Sequence, residues 1–289
     1  MTILAAASKK RVCILTRSAF PGGQRHASAI RSGDIAGDWT TFRRQVPAGL
    51  NVCLTGMPYW TTDTGGFWHP EDPYASPDYN ELLSRWFEWS MSSFLLRVRV
   101  WETRTEMWNW LPQTQKVMLA YDELRHRLLP YIYSLAWRVT SQGDTMMRAL
   151  PMDFRSDTRA LDGGDESMFG PASLVAPVTE TKAENKEVYL PAGTRWVSFW
   201  TGKSSDGGES IRTVAPPDES LCSFAPVRSC RWVLPCSMQG RHLPDRSNFA
   251  SIAARTGHSP FTKARGTTTI TSAVYTRRSR CHGMKRRKH

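Results

Sequence analysis

Tryptophans and carboxylates crowd into one stretch of this chain. Nine of the twelve tryptophans lie between Trp39 and Trp137, many beside an acid: Asp38 precedes Trp39, Asp63 follows Trp60, Glu102 follows Trp101, and Glu106 precedes Trp108. An indole face stacks on the apolar face of a sugar ring, while a carboxylate binds hydroxyls or moves a proton, so the mixture suits a saccharide cleft. Tryptophan is also a core residue, and composition by itself leaves function open.

Such groups need a scaffold. The chain has 289 residues, 40% apolar and 11% aromatic, enough for one large domain or two ordinary ones. Arg11–Thr16 reads as a buried strand, Leu50–Thr55 as a second and Phe94–Val98 as a weaker third. Glu81–Met91 and Thr114–Val139 carry helical spacing, the latter with Met118, Tyr121, Leu124, Leu128 and Leu135 near one face. The pattern predicts a parallel α/β arrangement. From about Met168 short β-like runs follow, Ser173–Val178, Val188–Leu190 and Trp196–Trp200, separated by Pro-Ala-Gly and Thr-Gly-Lys turns. These predict an appended antiparallel sheet. Beyond about Ser220 periodicity disappears, and no internal repeat is visible.

The formal charge of +12 would ordinarily point to nucleic acid or an anionic membrane. Position matters more than the sum. From Leu221 onward there are fourteen Lys and Arg against one acid, Asp245, so the body before it is close to neutral. Cys13 and Cys53 lie in the body, and Cys222, Cys230, Cys236 and Cys281 in the tail, without disulfide or zinc spacing. No apolar run approaches a membrane span, and Ile3 to Ala7 is too short for a secretory core. The expectation is a soluble chain with no membrane partner and no visible address.

Order along the chain says more than composition. The blocks Thr16–Arg25, Ser32-Gly-Asp-Ile-Ala-Gly-Asp-Trp39, Pro47–Asn51 and Thr55-Gly-Met-Pro-Tyr-Trp-Thr-Thr-Asp-Thr-Gly-Gly-Phe67 follow one another. Further on come Arg85-Trp-Phe87, Glu106–Asn109, Leu124–Tyr133, Phe169–Ala172, Tyr189–Gly193 and Phe199–Gly202. Over roughly residues 10 to 219 the chain resembles glycoside hydrolase family 31, and within it the α-xylosidase-like branch.

The resemblance implies an α/β fold: the later strands of a (β/α)8 TIM barrel over residues 1–165, with the site at the strands' carboxyl ends. The start of an antiparallel β-sandwich would follow over 166–219, and a disordered basic tail over 220–289. It implies a retaining hydrolase releasing a terminal α-linked xylose or glucose from an oligosaccharide, without metal or cofactor. Retaining enzymes hold two carboxyl groups about 5–5.5 Å apart, one as nucleophile and one as acid then base. Asp34, in the Ser-Gly-Asp block, matches the family's acid/base; Arg17 matches its sugar-binding arginine. Trp60, Asp63 and Phe67 match positions lining the cleft, Asp63 in a structural or orienting role. Asp38 reads as a charge at a helix start.

Several departures from the family follow. Its nucleophile lies on a barrel strand upstream of every block present here, so the chain is expected to be an inactive fragment, or to complement a separately encoded amino-terminal half. Arg31 and His26 stand where the family has aromatics, and Arg99 aligns with a cleft histidine. Arg31 and Arg99 should bring positive charge toward Asp34 and lower its pKa. After Ala-Pro-Pro-Asp218 the likeness stops. Codons shifted by one base can encode PLFVRAGSILPLGPAMQ from Ser220 onward, so a change of reading frame is expected there, which the nucleotide sequence tests. The rival expectations are a noncatalytic carbohydrate-binding remnant or, less favoured, nucleic-acid binding through the basic tail.

Overall fold

The computed structural model describes residues 12–199, 201–215 and the strand 222–226. Three parallel strands, β1 (Ile14–Thr16), β2 (Ser28–Arg31) and β3 (Trp60–Thr61), form a sheet in that order. Ile14 pairs with Ser28, and Ile30 with Trp60. All three therefore end on the same side. The segment expected as a third strand, Phe94–Val98, joins the edge through a single parallel bridge, Thr64 to Val98.

The crossover between β2 and β3 is helix α1, Trp39–Leu54. Asp38 caps it, its carboxylate accepting from the Thr41 amide at 2.7 Å, as a helix-start charge should. Here one expectation fails, because Leu50–Thr55 is the last turn of this helix rather than a strand. Leu50, Val52, Cys53 and Leu54 look β-like in isolation. Phe42, Val46, Leu50 and Cys53 are buried at helical spacing, and that longer pattern wins against local propensity. Pro47 is tolerated inside the helix at the loss of one backbone donor.

Two more helices back the sheet. Helix α2, Pro77–Ser90, starts at Ser76, whose hydroxyl accepts from the Tyr79 amide. Helix α3 spans Pro112–Gln142 and ends at Gly143 in the left-handed region, φ 67°. Both match the helical spacing read from sequence. Arg125 of α3 donates to the carbonyls of Met91, Ser93 and Phe94, satisfying acceptors just beyond the α2 terminus. The core between α1, α2 and β3 is aromatic: Phe42 stacks on Trp86 at 4.9 Å, and Trp89 lies 6.0 Å from Trp60.

The second part is antiparallel. Strands β4 (Met147–Arg148), β5 (Ser167–Phe169) and β6 (Ser173–Ala176) share a six-stranded sheet with β8 (Arg195–Ser198), β9 (Ser204–Asp206) and β11 (Cys222–Pro226), in the order β4-β5-β6-β11-β8-β9. Between β4 and β5 lies the short helix α4, Leu150–Asp153. Strands β7 (Asn185–Leu190) and β10 (Glu209–Val214) form a separate two-stranded ribbon. The sheet therefore begins at Met147, earlier than the expected 165/166 boundary, because a two-residue strand is too short to leave a period-two signature. At the other end β11 lies inside the segment expected to be a disordered tail. It fills the slot between β6 and β8, where backbone donors and acceptors pair regardless of side chain. The rest of the expected tail lies outside the described residues.

The two parts are joined through α2. Arg85, fully buried, donates to the carbonyl of Ala215 at 2.9 Å and of Ala183 at 3.3 Å, and the Glu81 carboxylate accepts from the Lys182 amide.

Candidate active site

Four charged residues meet where the parallel strands end. Arg17 follows β1 directly, Arg31 is the last residue of β2, Asp34 lies in the loop after it, and Asp63 comes two residues after β3. Strand alternation and a common direction bring them together although they are scattered over 47 positions of sequence.

Two glycines shape the loops. Gly33 adopts φ 96°, turning the chain so that Asp34 leaves the sheet. Gly66, at φ 83°, lies so close to Gly37 that an added Cβ would come within 2.3 Å of its Cα. The Asp34 loop and the Asp63 loop are thereby locked backbone to backbone, and the amides of Phe67 and Trp68 both donate to the Ile35 carbonyl, at 2.7 and 3.0 Å.

Arg31 is the hub of the charges. One of its nitrogens donates to Asp34 and the other to Asp63, each at 2.7 Å. Arg17 donates to the second Asp34 oxygen at 3.1 Å, and Arg97 lies 2.8 Å from the second Asp63 oxygen. The two carboxylates differ in access: the Asp63 side chain is 0% exposed and that of Asp34 25%. The Arg31 hydrogen bond holds the Asp34 carboxyl below its ordinary pKa against the opposing effect of desolvation, with Arg17 and Arg99 adding to the fall. This is the direction that Arg31 and Arg99 predict from sequence. Burial pushes Asp63 up, while Arg97 and Arg31 oppose it; the paired guanidiniums make a carboxylate tenable at a dry position.

The other expected site residues separate. Arg99 is exposed, its guanidinium 5.9 Å from the Phe67 ring centre. His26 is exposed on the 3-10 turn Gly23–His26. Trp60 was expected to line the cleft, but its ring is in the core under α1, where a Cβ at Gly49 would meet it at 2.6 Å. Phe67 is likewise buried, edge-on to Trp68 at 5.0 Å. The physical reason is the same for both: a large ring beside the sheet stabilises most by leaving water entirely. Trp68 and Trp101, whose amides bond to the carbonyls of Ile35 and Phe67, are exposed. Sequence reasoning did not single out Arg97. Its signal was the alternation Leu96, Arg97, Val98, Arg99, Val100, which puts the two arginines on one face.

A small cavity lined by Phe20, Gln24, Ile30, Met57 and Tyr59 contains none of these charged groups, so the candidate site rests on the side-chain geometry. Among the described residues no cluster of His, Cys, Asp and Glu could hold a metal ion, and no helix is long and apolar enough to cross a membrane.

Comparison with known proteins agrees with the geometry. Residues 2–135 match the glycosyl hydrolases family 31 TIM-barrel domain, and residues 143–227 the glycosyl hydrolase family 31 C-terminal domain. An α-xylosidase of Saccharolobus solfataricus is 51% identical over 206 residues, which is 71% of this chain and 28% of that protein. Alpha-xylosidase A of Aspergillus niger is 32% identical over 232 residues, covering 70% and 31%. The crystal structure of a family 31 α-xylosidase from Xanthomonas citri superposes with a TM-score of 0.73 at 40% identity, over 76% of this chain and 25% of that one. The chain thus spans less than a third of the length of these curated relatives. With both domain models matched in order, and the charged cluster at the strand ends where a barrel carries its site, this chain belongs to glycoside hydrolase family 31.

Proposed function

We propose that this chain carries the acid/base side of a retaining glycosidase site that releases a terminal α-linked xylose or glucose from an oligosaccharide. The observation that supports it most is Asp34: a partly exposed carboxylate past the end of β2, held by Arg17 and Arg31 on side-chain nitrogens only. A carboxylate so held can take a proton from an attacking water. To donate one to a leaving oxygen it must first be protonated, and its lowered pKa opposes that step. Arg17, with its side chain 63% exposed, can turn from Asp34 to sugar hydroxyls at little cost.

Hydrolysis with retention needs a second carboxylate as nucleophile. Asp63 is unsuited, being buried and clamped by Arg31 and Arg97. We therefore assign the nucleophile to residues outside this chain, and expect the chain alone to be inactive. An amino-terminal half carrying the family's nucleophile would complete the site.

The test is an assay of the chain on an aryl α-xyloside and an aryl α-glucoside, alone and mixed with such a half. Turnover only in the mixture, abolished by Asp34→Asn, supports the proposal. Turnover by the chain alone overturns the assignment of the nucleophile.

A further inference from the structure

We infer that the charged cluster at the strand ends takes an acidic saccharide, one that carries a carboxylate as a uronic acid unit does, with Arg99 as the guanidinium that receives the acid. This rests on the saccharide reading proposed above and names the class of saccharide within it.

A neutral sugar needs donors and acceptors around its hydroxyls but no surplus of charge. The cluster has a surplus. Each of the four carboxylate oxygens of Asp34 and Asp63 has a guanidinium nitrogen within 3.1 Å, supplied by Arg17, Arg31 and Arg97. Three cations thus face two anions before Arg99 is counted. Arg99 adds a fourth, and its field reaches Asp34, Asp63 and Arg97 alike. It is exposed, and among the described residues it has no ion-pair partner. Its recorded neighbour is the Phe67 ring, 5.9 Å from the guanidinium carbon to the ring centre.

Like charges at this spacing repel, and the cluster registers it. Arg97 is held below its ordinary pKa, by burial first, and the charges of Arg31 and Arg99 add to the fall against the pull of Asp63. A bound carboxylate would relieve that repulsion. It can also accept two parallel N–H bonds from one guanidinium fork, a match that a single hydroxyl cannot make. Arg99 has its whole fork to give. Arg17, 63% exposed and bonded to Asp34 through one nitrogen, keeps its other donors. Asp34 does not shut such an acid out, because both of its oxygens already face guanidiniums. The aromatic ring near Arg99 helps in the same direction, since a guanidinium beside a π-face is weakly hydrated and loses less when a ligand displaces its water.

The experiment is a calorimetric titration of the 289-residue chain with methyl α-glucoside, methyl α-glucuronide, the neutral methyl ester of that glucuronide, and sodium acetate. The glucuronide should bind about tenfold tighter than the glucoside or the ester, as expected for a hydrogen-bonded charge pair, and acetate should bind more weakly than the glucuronide. Arg99→Gln should reduce that preference to about threefold, leaving what Arg17 supplies. Arg99 is exposed, so the variant should keep the parent's thermal unfolding curve. If the glucoside binds and the glucuronide binds no tighter, the inference is wrong and the functional proposal stands. A preference that survives Arg99→Gln in full, or acetate binding as tight as the glucuronide, also overturns it. If no saccharide binds, both fall.

Discussion

Asp34 and Asp157 are two aspartates whose carboxyls are both held below their ordinary pKa, and they are held by opposite means. Asp157, in the antiparallel part, accepts from the backbone amides of Ala192, Arg159 and Ala160 and from the Tyr189 hydroxyl. Asp34 takes its bonds from the guanidiniums of Arg17 and Arg31. Backbone donors cannot move without unfolding a loop, whereas a guanidinium can swing to a ligand. The first carboxylate ties β7 to the turns around it; the second is held by side chains, one of which, Arg17, is 63% exposed. A lowered pKa alone therefore does not identify a site, and the nature of the partners does.

Five variants would break or sharpen that contrast, taken from the largest expected effect to the smallest. Glu166, beside Asp157's partner Tyr189, is the opposite case: burial pushes its pKa up to about 8. Its folded value lies above its unfolded one, so the folded form holds the extra proton and stability falls as pH rises from about 4.5 to about 8. The slope is at most about 1.4 kcal/mol per pH unit. Glu166→Gln should flatten it, as read by urea unfolding at pH 5 and pH 8.

Asp63→Ala leaves Arg31 and Arg97 facing each other without their shared carboxylate. A loss of about 3 kcal/mol is expected in the same unfolding measurement at pH 7, the figure for breaking a largely buried pair. A loss below about 1 kcal/mol would mean that water already screens the cluster.

Asp157→Ala strips acceptors from three backbone amides and should cost about 2 kcal/mol. Asp34→Asn should cost the least of these, because its carboxyl is partly exposed and held by side chains rather than backbone amides. If these two costs prove equal, the distinction between backbone-held and side-chain-held carboxylates fails. A companion measurement follows the Asp34 carboxyl by NMR titration. Its folded pKa is depressed, so its contribution to stability is present above about pH 4 and lost as pH falls through the folded value. Arg31→Met should move the titration upward, toward the ordinary aspartate range.

How much of this was legible in the sequence depends on the element. Helices α2 and α3 could be read directly, because the spacing of Leu82, Trp86 and Trp89, or of Tyr121, Leu124 and Leu128, repeats for several turns. Strand β2 could not, since only Ala29 of Ser28–Arg31 is buried and period two leaves no trace in a small residue. Leu50–Thr55 misled because six residues are too few to tell a buried helical turn from a strand.

The site divides in the same way. Asp34, Arg17 and Arg31 were singled out from ordered blocks, because residue type and order are what a sequence carries, and the structure pairs them. Tryptophans beside carboxylates suited a saccharide cleft but, as composition, left the chemistry open. The tertiary structure alone decided which aromatics face out: Trp60 and Phe67 went to the core, while Trp68 and Trp101 stayed open. It alone decided that Arg31 serves both aspartates and that Arg97 completes the clamp on Asp63. The reason is physical: an amino-acid type fixes what a side chain can do, but exposure and pairing depend on which distant segments arrive beside it.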